Sequence, residues 1–142
     1  VSTLFTKIIN GEIPGRFVWR EPDVVAFLSI GPLAPGHTLV VPVEEVDRWT
    51  DAPPEILAKA MIVAQRIGKV QVDVFGSERA GLLVAGYEID HLHVHVWPSN
   101  SMKDYDFAAV DDNPDPAELD SNAEKIREGL RAAGYAEFVP ES

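Results

Sequence analysis

Cysteine is absent from the 142 residues, so neither a disulfide framework nor a thiolate metal site can form. Cation is scarce: 12 Lys and Arg stand against 23 Asp and Glu, for a formal charge of −11, and no basic run occurs. The field of such a surface repels a phosphate backbone, which argues against sequence-independent binding to DNA or RNA. Any anionic metabolite must be held by local donors. No apolar run approaches the roughly 18 residues of a membrane span. Residues 1–7 have neither a basic region nor an apolar core of the kind that directs export. The expectation is a cytoplasmic protein without membrane contact. Gly76, Gly81 and Gly86 are too scattered to cradle phosphate. The acidic stretch 104–120 lacks the spacing of a calcium loop and reads as solvated chain.

The chain has what one folded domain needs. Hydrophobic residues make up 46% of it, and 10 Gly with 11 Pro are ordinary for a globular chain with several tight turns. Residues 4–10 read as a short helix ended by Gly11. Residues 17–20 and 24–28 have strand composition and are joined by a turn at Glu21-Pro22-Asp23. After a Gly- and Pro-rich loop, residues 37–41 form a third strand that Pro42 ends or places at an edge. From Glu55 to Val74 the apolar residues recur every three or four positions, as in an amphipathic helix, with Pro53 and Pro54 at its start and Gly76 as its stop. Residues 81–85 and 92–97 make a further strand pair, separated by Gly86 to Asp90. Asp115 to Glu118 looks like a helix start, followed by apolar residues at helical spacing until Gly134. Most neighbouring strands lack the crossover helix that parallel pairing requires. The fold expected is therefore α+β: an antiparallel five-stranded sheet with one long central helix, a short N-terminal helix and a C-terminal helix. Residues 1–110 are read as the main domain and 111–142 as a linker and helix packed on it.

All four histidines fall in two places, His37 and the run His91-Leu92-His93-Val94-His95-Val96. In a strand, side chains alternate between faces, so Leu92, Val94 and Val96 enter the core while the three rings share the other face about 7 Å apart. Three rings on one face have no packing advantage over Thr or Val. A neutral imidazole has one nucleophilic nitrogen and one donor, so such a row can attack an electrophile, donate to an anion or bind metal. Metal is the main competitor, with Glu88 and Asp90 near enough in sequence to join a histidine set. For His37 alone, a half-buried structural role is equally natural. Trp19, Trp49 and Trp97 read as core or interface residues, with Trp97 alone near the triad.

The run His91-Leu92-His93-Val94-His95-Val96-Trp97 resembles the His-φ-His-φ-His-φ-φ signature of the histidine-triad (HIT) nucleotide-binding proteins, where φ is apolar. Phe5 to Pro14, Val25 to Leu28 and Ala34 to Pro42 are similar to that family's other motifs, in its order. The resemblance spans roughly residues 3 to 98. It implies hydrolysis or transfer at the α-phosphorus of a nucleotide through a nucleotidyl-histidine, with His93 as nucleophile. It further implies that His95 contacts the phosphate or leaving group, and that His91 and His37 complete the network. Phe5, Ile8, Phe27 and Ile30 match the family's base pocket, with Ser29 at its ribose position. Phosphoramidates, acyl-nucleotides and dinucleoside polyphosphates are the substrates implied, with a purine nucleotide as ligand, a homodimer as assembly and no cofactor. His rather than Gln at position 95 is similar to the hydrolase branch.

Three positions depart from the family pattern. Ser29 stands where many relatives carry an Asp that grips both ribose hydroxyls. Glu88 and Asp90 occupy a short loop where relatives bind phosphate. Thr3 and Thr6 stand where some bacterial relatives have a Cys-x-x-Cys pair for structural zinc, so no such zinc is expected. These departures leave two other functions open: a nucleotide-binding regulatory module with little turnover, and a His-ligated metal hydrolase.

Overall fold

The computed structural model describes residues 2–142; Val1, which begins the N-terminal stretch read above, lies outside them. Five strands, β1 (Phe17–Arg20), β2 (Val24–Leu28), β3 (Thr38–Pro42), β4 (Arg79–Leu83) and β5 (Val94–Ser99), form one sheet in the order β1-β2-β3-β5-β4. Every neighbouring pair is antiparallel. The helices are α1 (Leu4–Ile9), α2 (Pro54–Phe75) and α3 (Pro116–Leu130).

Strand alternation divides the apolar residues between two faces. Val24, Ala26, Leu28, Val40, Val94 and Val96 face a core shared with α2 and α3. Val25, Phe27, Leu39 and Val41 face a smaller core that includes Phe5 and Ile8 of α1. Helix α2 contributes Ala60, Val63, Ala64, Ile67 and Val70 to the larger core. Burying each Val or Ile there stabilises the fold by about 1.5–3 kcal/mol. Gly76, at φ 66°, ends α2 in the left-handed conformation that a residue with a Cβ disfavours. Helix α3 places Leu119, Ala123, Ile126 and Leu130 in the same core. Beyond it, Phe138 stacks on Trp19 with ring centroids 4.8 Å apart. No helix among the described residues is long and apolar enough to cross a membrane.

Three sequence readings change in detail. Pro42 ends β3 rather than marking an edge, because β3 is the middle strand of the five. The fifth strand begins at Val94, so the β4–β5 connection runs from residue 84 to 93 instead of the five residues 86–90. Asp115 caps α3 through a single bond, accepted from the Ala117 N–H at 3.0 Å. The second change matters most for the site: His91 does not belong to an alternating row on a strand. Pro42 has no N–H to continue the β3–β5 ladder, and its carbonyl accepts a bond from the His91 ring at 2.7 Å. The backbone at Leu92 pairs instead with Val46, donating to its carbonyl at 2.6 Å.

Candidate active site

Strand β5 sets His95 between Val94 and Val96, which point at α2, so its ring emerges on the α1 face. The His93 ring lies on that same face, 5.0 Å from the His95 ring. His37 precedes β3 and reaches His95 across the sheet. Its backbone is held by Gly36, whose φ of 90° and 2.4 Å approach of a would-be Cβ to the Phe75 ring admit only glycine. The Gly36 carbonyl accepts from the Thr38 hydroxyl at 2.8 Å and from the Gln71 amide at 2.9 Å. That amide also donates to the Val96 carbonyl at 3.0 Å. Gln71, buried on α2, thus ties the residue before His37 to the residue after His95.

The hydrogen bonds fix which nitrogen of each ring holds the proton of its neutral form. The Leu33 N–H can only donate, and it does so to Nδ1 of His37 at 2.9 Å. The proton of His37 is therefore on Nε2, which donates to Nδ1 of His95 at 3.0 Å. His95 must then carry its proton on Nε2. The His91 carbonyl can only accept, and Nδ1 of His93 donates to it at 2.7 Å. His93 therefore keeps an unshared pair on Nε2, which has no partner among the described residues. The Pro42 carbonyl likewise draws the proton of His91 to Nε2, leaving Nδ1 to accept from the Thr3 hydroxyl at 2.7 Å.

Burial favours neutral rings at this site. Desolvation, reinforced by the neighbouring His95, pushes His37 down to about 3. Desolvation with the neighbouring His93 pushes His95 down to about 4. His93 is also lowered, mainly by burial, against the opposing effect of its bond to the His91 carbonyl. The lowering favours the neutral form of His93, the form that keeps a lone pair on Nε2.

A cavity of about 520 Å³ opens in front of these rings. His93 and His95 line it together with Phe5, Ile8, Phe27, Ser29 and Ile30. Phe5 packs edge-on against His93 with centroids 4.9 Å apart, and lies 5.6 Å from the Phe27 ring. Ile30 is 74% exposed and forms the rim. His37 and His91 do not reach the cavity; they are buried behind it and act through their bonds to His95 and His93. Ser29 accepts the Gly31 N–H at 3.1 Å, which leaves its hydroxyl proton free to donate. Of the two loop carboxylates, Glu88 lines the cavity and Asp90 does not.

The sequence reading missed the opposite wall. Phe107, Val110 and Asp112 line the cavity, with the Phe107 ring 5.0 Å from that of His95. This segment is drawn in by the Asp111 N–H, which donates to the Pro32 carbonyl at 3.0 Å. Its polar, proline-containing sequence reads only as linker, and an aromatic at position 107 was the one available hint. Arg16 is the cation of the lining, and its Nε donates to Asp120 at 2.6 Å.

Neither metal hypothesis fits the donors present. Thr3 and Thr6 offer neutral hydroxyls where thiolates would be needed, and Nδ1 of His91 is already occupied by Thr3. At the triad, the nitrogens left over are Nε2 of His93 and the protonated Nε2 of His95, short of the three protein ligands usual for catalytic zinc. No group of three or more His, Asp or Glu among the described residues is disposed to hold a metal ion.

Comparison with known proteins agrees with the fold and the motif. The family model described as HIT domain matches residues 10–102. An uncharacterized HIT-like protein of Methanocaldococcus jannaschii is 37% identical over 102 residues, covering 67% of this chain and 77% of that protein. Adenosine 5'-monophosphoramidase of Saccharomyces cerevisiae is 35% identical over 103 residues, covering 72% of this chain; the match spans 65% of the yeast protein. The crystal structure of a Hit-like protein from Bartonella henselae superimposes with a TM-score of 0.77 at 32% identity, over 90% of this chain and 96% of that one.

Proposed function

Because this chain belongs to the HIT family, we propose that it is a nucleotide hydrolase or transferase acting at the α-phosphorus of a nucleoside phosphoramidate, an acyl-nucleotide or a dinucleoside polyphosphate. One observation carries the reading: the hydrogen bonds leave His93 with a free Nε2 pair and His95 with an Nε2 proton, and both rings line one cavity. The name of the yeast relative, a monophosphoramidase, supports phosphoramidates as the first substrates to test.

In this reading Nε2 of His93 attacks the α-phosphorus, forming a P–N bond while the bond to the leaving group breaks and its electron pair departs with it. The ring becomes cationic, and its Nδ1–H bond to the His91 carbonyl shares that charge. Nε2–H of His95 donates to the charge developing on the phosphoryl or leaving-group atom. Water then attacks the nucleotidyl-His93, the P–N pair returns to Nε2, and a nucleoside monophosphate leaves. Phe5, Ile8, Phe27 and Ile30 enclose the base and Ser29 faces the ribose. Residues 1–110 carry the reacting rings, and 111–142 add Asp112 to the cavity wall and pack α3 on the core.

Glu88 and Ser29 favour a second reading, a nucleotide-binding module with little turnover. A carboxylate in the cavity opposes a phosphate, and one hydroxyl grips a ribose less firmly than a carboxylate. Incubation with adenosine 5'-phosphoramidate, followed by intact mass, separates the readings. A nucleotidyl adduct, and turnover that His93→Ala abolishes and EDTA leaves intact, supports the hydrolase. Binding without an adduct or turnover supports the module, and inhibition by EDTA supports metal chemistry.

We also infer a homodimer. Met61 and Ile62 of α2 and Leu82 of the edge strand β4 expose apolar side chains along one surface. An unpaired edge beside apolar side chains is suited to a second copy. A monomer mass by light scattering at micromolar concentration would refute it.

A further inference from the structure

We propose that Glu45 and Thr3 are positioning residues that register the nucleoside pocket against the nucleophile, an inference that rests on the hydrolase reading above. The His91 ring is gripped at both nitrogens, by the Pro42 carbonyl at Nε2 and by the Thr3 hydroxyl at Nδ1, each at 2.7 Å. Thr3 is itself held by Glu45: its backbone N–H donates to Glu45 Oε1 at 3.0 Å. The Thr6 hydroxyl donates to the same oxygen at 2.5 Å, and the Thr6 N–H donates to the Thr3 hydroxyl at 3.2 Å. Glu45 lies three residues beyond Pro42, so the chain of bonds closes on itself: Pro42 to His91, His91 to Thr3, Thr3 to Glu45, and back along the backbone to Pro42.

Both ends of this ring bear on the reaction. The His91 carbonyl fixes Nδ1 of His93, and with it the direction of the attacking pair. Thr3 is the N-cap of α1, and two residues on, Phe5 leans against both the His91 and His93 rings at 5.7 and 4.9 Å while forming the cavity wall. A single exposed carboxylate therefore sets α1, the pocket wall it carries, and the backbone that aims His93. Hydrogen bonds to an ionised acceptor are shorter and stronger than neutral ones, which suits Glu45 to hold the Thr3 N–H and the Thr6 hydroxyl at once.

The test compares Thr3→Val, Thr3→Ser, Glu45→Ala and the Thr3→Val/Glu45→Ala double variant with the parent protein. Readouts are adenosine 5'-phosphoramidate kinetics, thermal midpoint, and the imidazole nitrogen NMR shifts of His91 and His93. At temperatures where all are folded, Thr3→Val is expected to lower kcat about tenfold to a hundredfold, in line with the cost of small misplacements near a reacting centre. Thr3→Ser should restore most of that loss, because the hydroxyl is retained. Glu45→Ala should reproduce the Thr3→Val effect, and the double variant should be no worse than either single one, as for two members of one chain. The His91 and His93 nitrogen shifts should move together in both variants.

Unchanged kinetics in folded Thr3→Val, or a lowered thermal midpoint with kcat intact, would overturn the proposal. So would independent, multiplying effects of the two substitutions. If the parent binds nucleotide but forms no adduct, the hydrolase reading fails, and the nitrogen shifts decide the positioning role separately: motion of His91 without His93 would refute it.

Discussion

Nε2 of His37 donates to Nδ1 of His95 at 3.0 Å, and this single bond decides which nitrogen of His95 presents a proton to the cavity. The proton is on Nε2 of His37 because the Leu33 N–H fills its other nitrogen at 2.9 Å. A residue that touches no substrate in the proposed reaction thereby controls the donor that does.

Replacing His37 tests this control. His37→Ala leaves Nδ1 of His95 free to take up a proton, so a fraction of His95 presents a bare nitrogen where a donor is required. Loss of a positioned donor of this type typically costs about 10²-fold or more in kcat. Because only a fraction of His95 loses its donor, the expected outcome is a smaller drop in kcat than full removal would give, with KM changed less, measured by steady-state kinetics on adenosine 5'-phosphoramidate. A change confined to KM would contradict the assignment.

The pH dependence follows from the same burial. His95 is held near 4 and His37 near 3, both below the ordinary 6.5 of an imidazole. Their neutral forms persist as the pH falls, and His93 is lowered as well, so turnover should be lost at a lower pH than an ordinary imidazole would set. Stability carries the matching sign. Below pH 6.5 the unfolded chain binds protons that the folded His95 refuses until about 4 and His37 until about 3, so both contributions are complete above 6.5 and decline through that window. The thermal midpoint should fall between pH 6.5 and 4 and level off above 7, with a shallower fall in His95→Gln.

In the proposed reaction Ser29, on the cavity wall, meets the ribose. Its oxygen already accepts the Gly31 N–H, which leaves one donor for a ribose, whereas a carboxylate would accept from both hydroxyls. Ser29→Asp should therefore raise the ratio of kcat/KM for ribo- over 2'-deoxyribonucleoside phosphoramidates. A hydrogen bond to a charged group contributes about 1.5–3 kcal/mol, roughly a tenfold or larger effect. An unchanged ratio would place the ribose elsewhere.

Behind the site, Gly36→Ala combines a forbidden backbone angle with an overlap on the Phe75 ring. A loss of about 1–3 kcal/mol is expected for such strain, read by denaturant melts. Gln71→Leu removes the buried amide that joins the Gly36 and Val96 carbonyls, leaving Gly36 to the Thr38 hydroxyl and removing a donor from Val96. It should cost a similar about 1–3 kcal/mol and slow turnover by disturbing the His37–His95 distance. Stability lost with kcat unchanged would limit Gln71 to a structural role.

Much of the fold was legible because its signals are local. Strand β2 is a continuous apolar run and helix α2 repeats every three to four residues, while the alternation of His93, Val94, His95 and Val96 placed the last two rings of the triad on one face. The same rule misplaced His91. It assumes that the strand continues, and Pro42, on a segment far away in sequence, stops the ladder two residues short. The wall formed by Phe107, Val110 and Asp112 was invisible for a related reason: nothing local distinguishes a polar linker in solvent from one drawn over a cavity by an Asp111–Pro32 hydrogen bond.

By itself, the sequence determined which side chains could do chemistry and which face of each element is apolar, since both follow from residue type and backbone repeat. Tertiary structure alone decided the proton positions. These depend on partners 58 residues apart for His37 and His95, 88 for Thr3 and His91, and 49 for Pro42 and His91. A ring nitrogen becomes donor or acceptor according to what lies within about 3 Å of it, and only folding brings those atoms together.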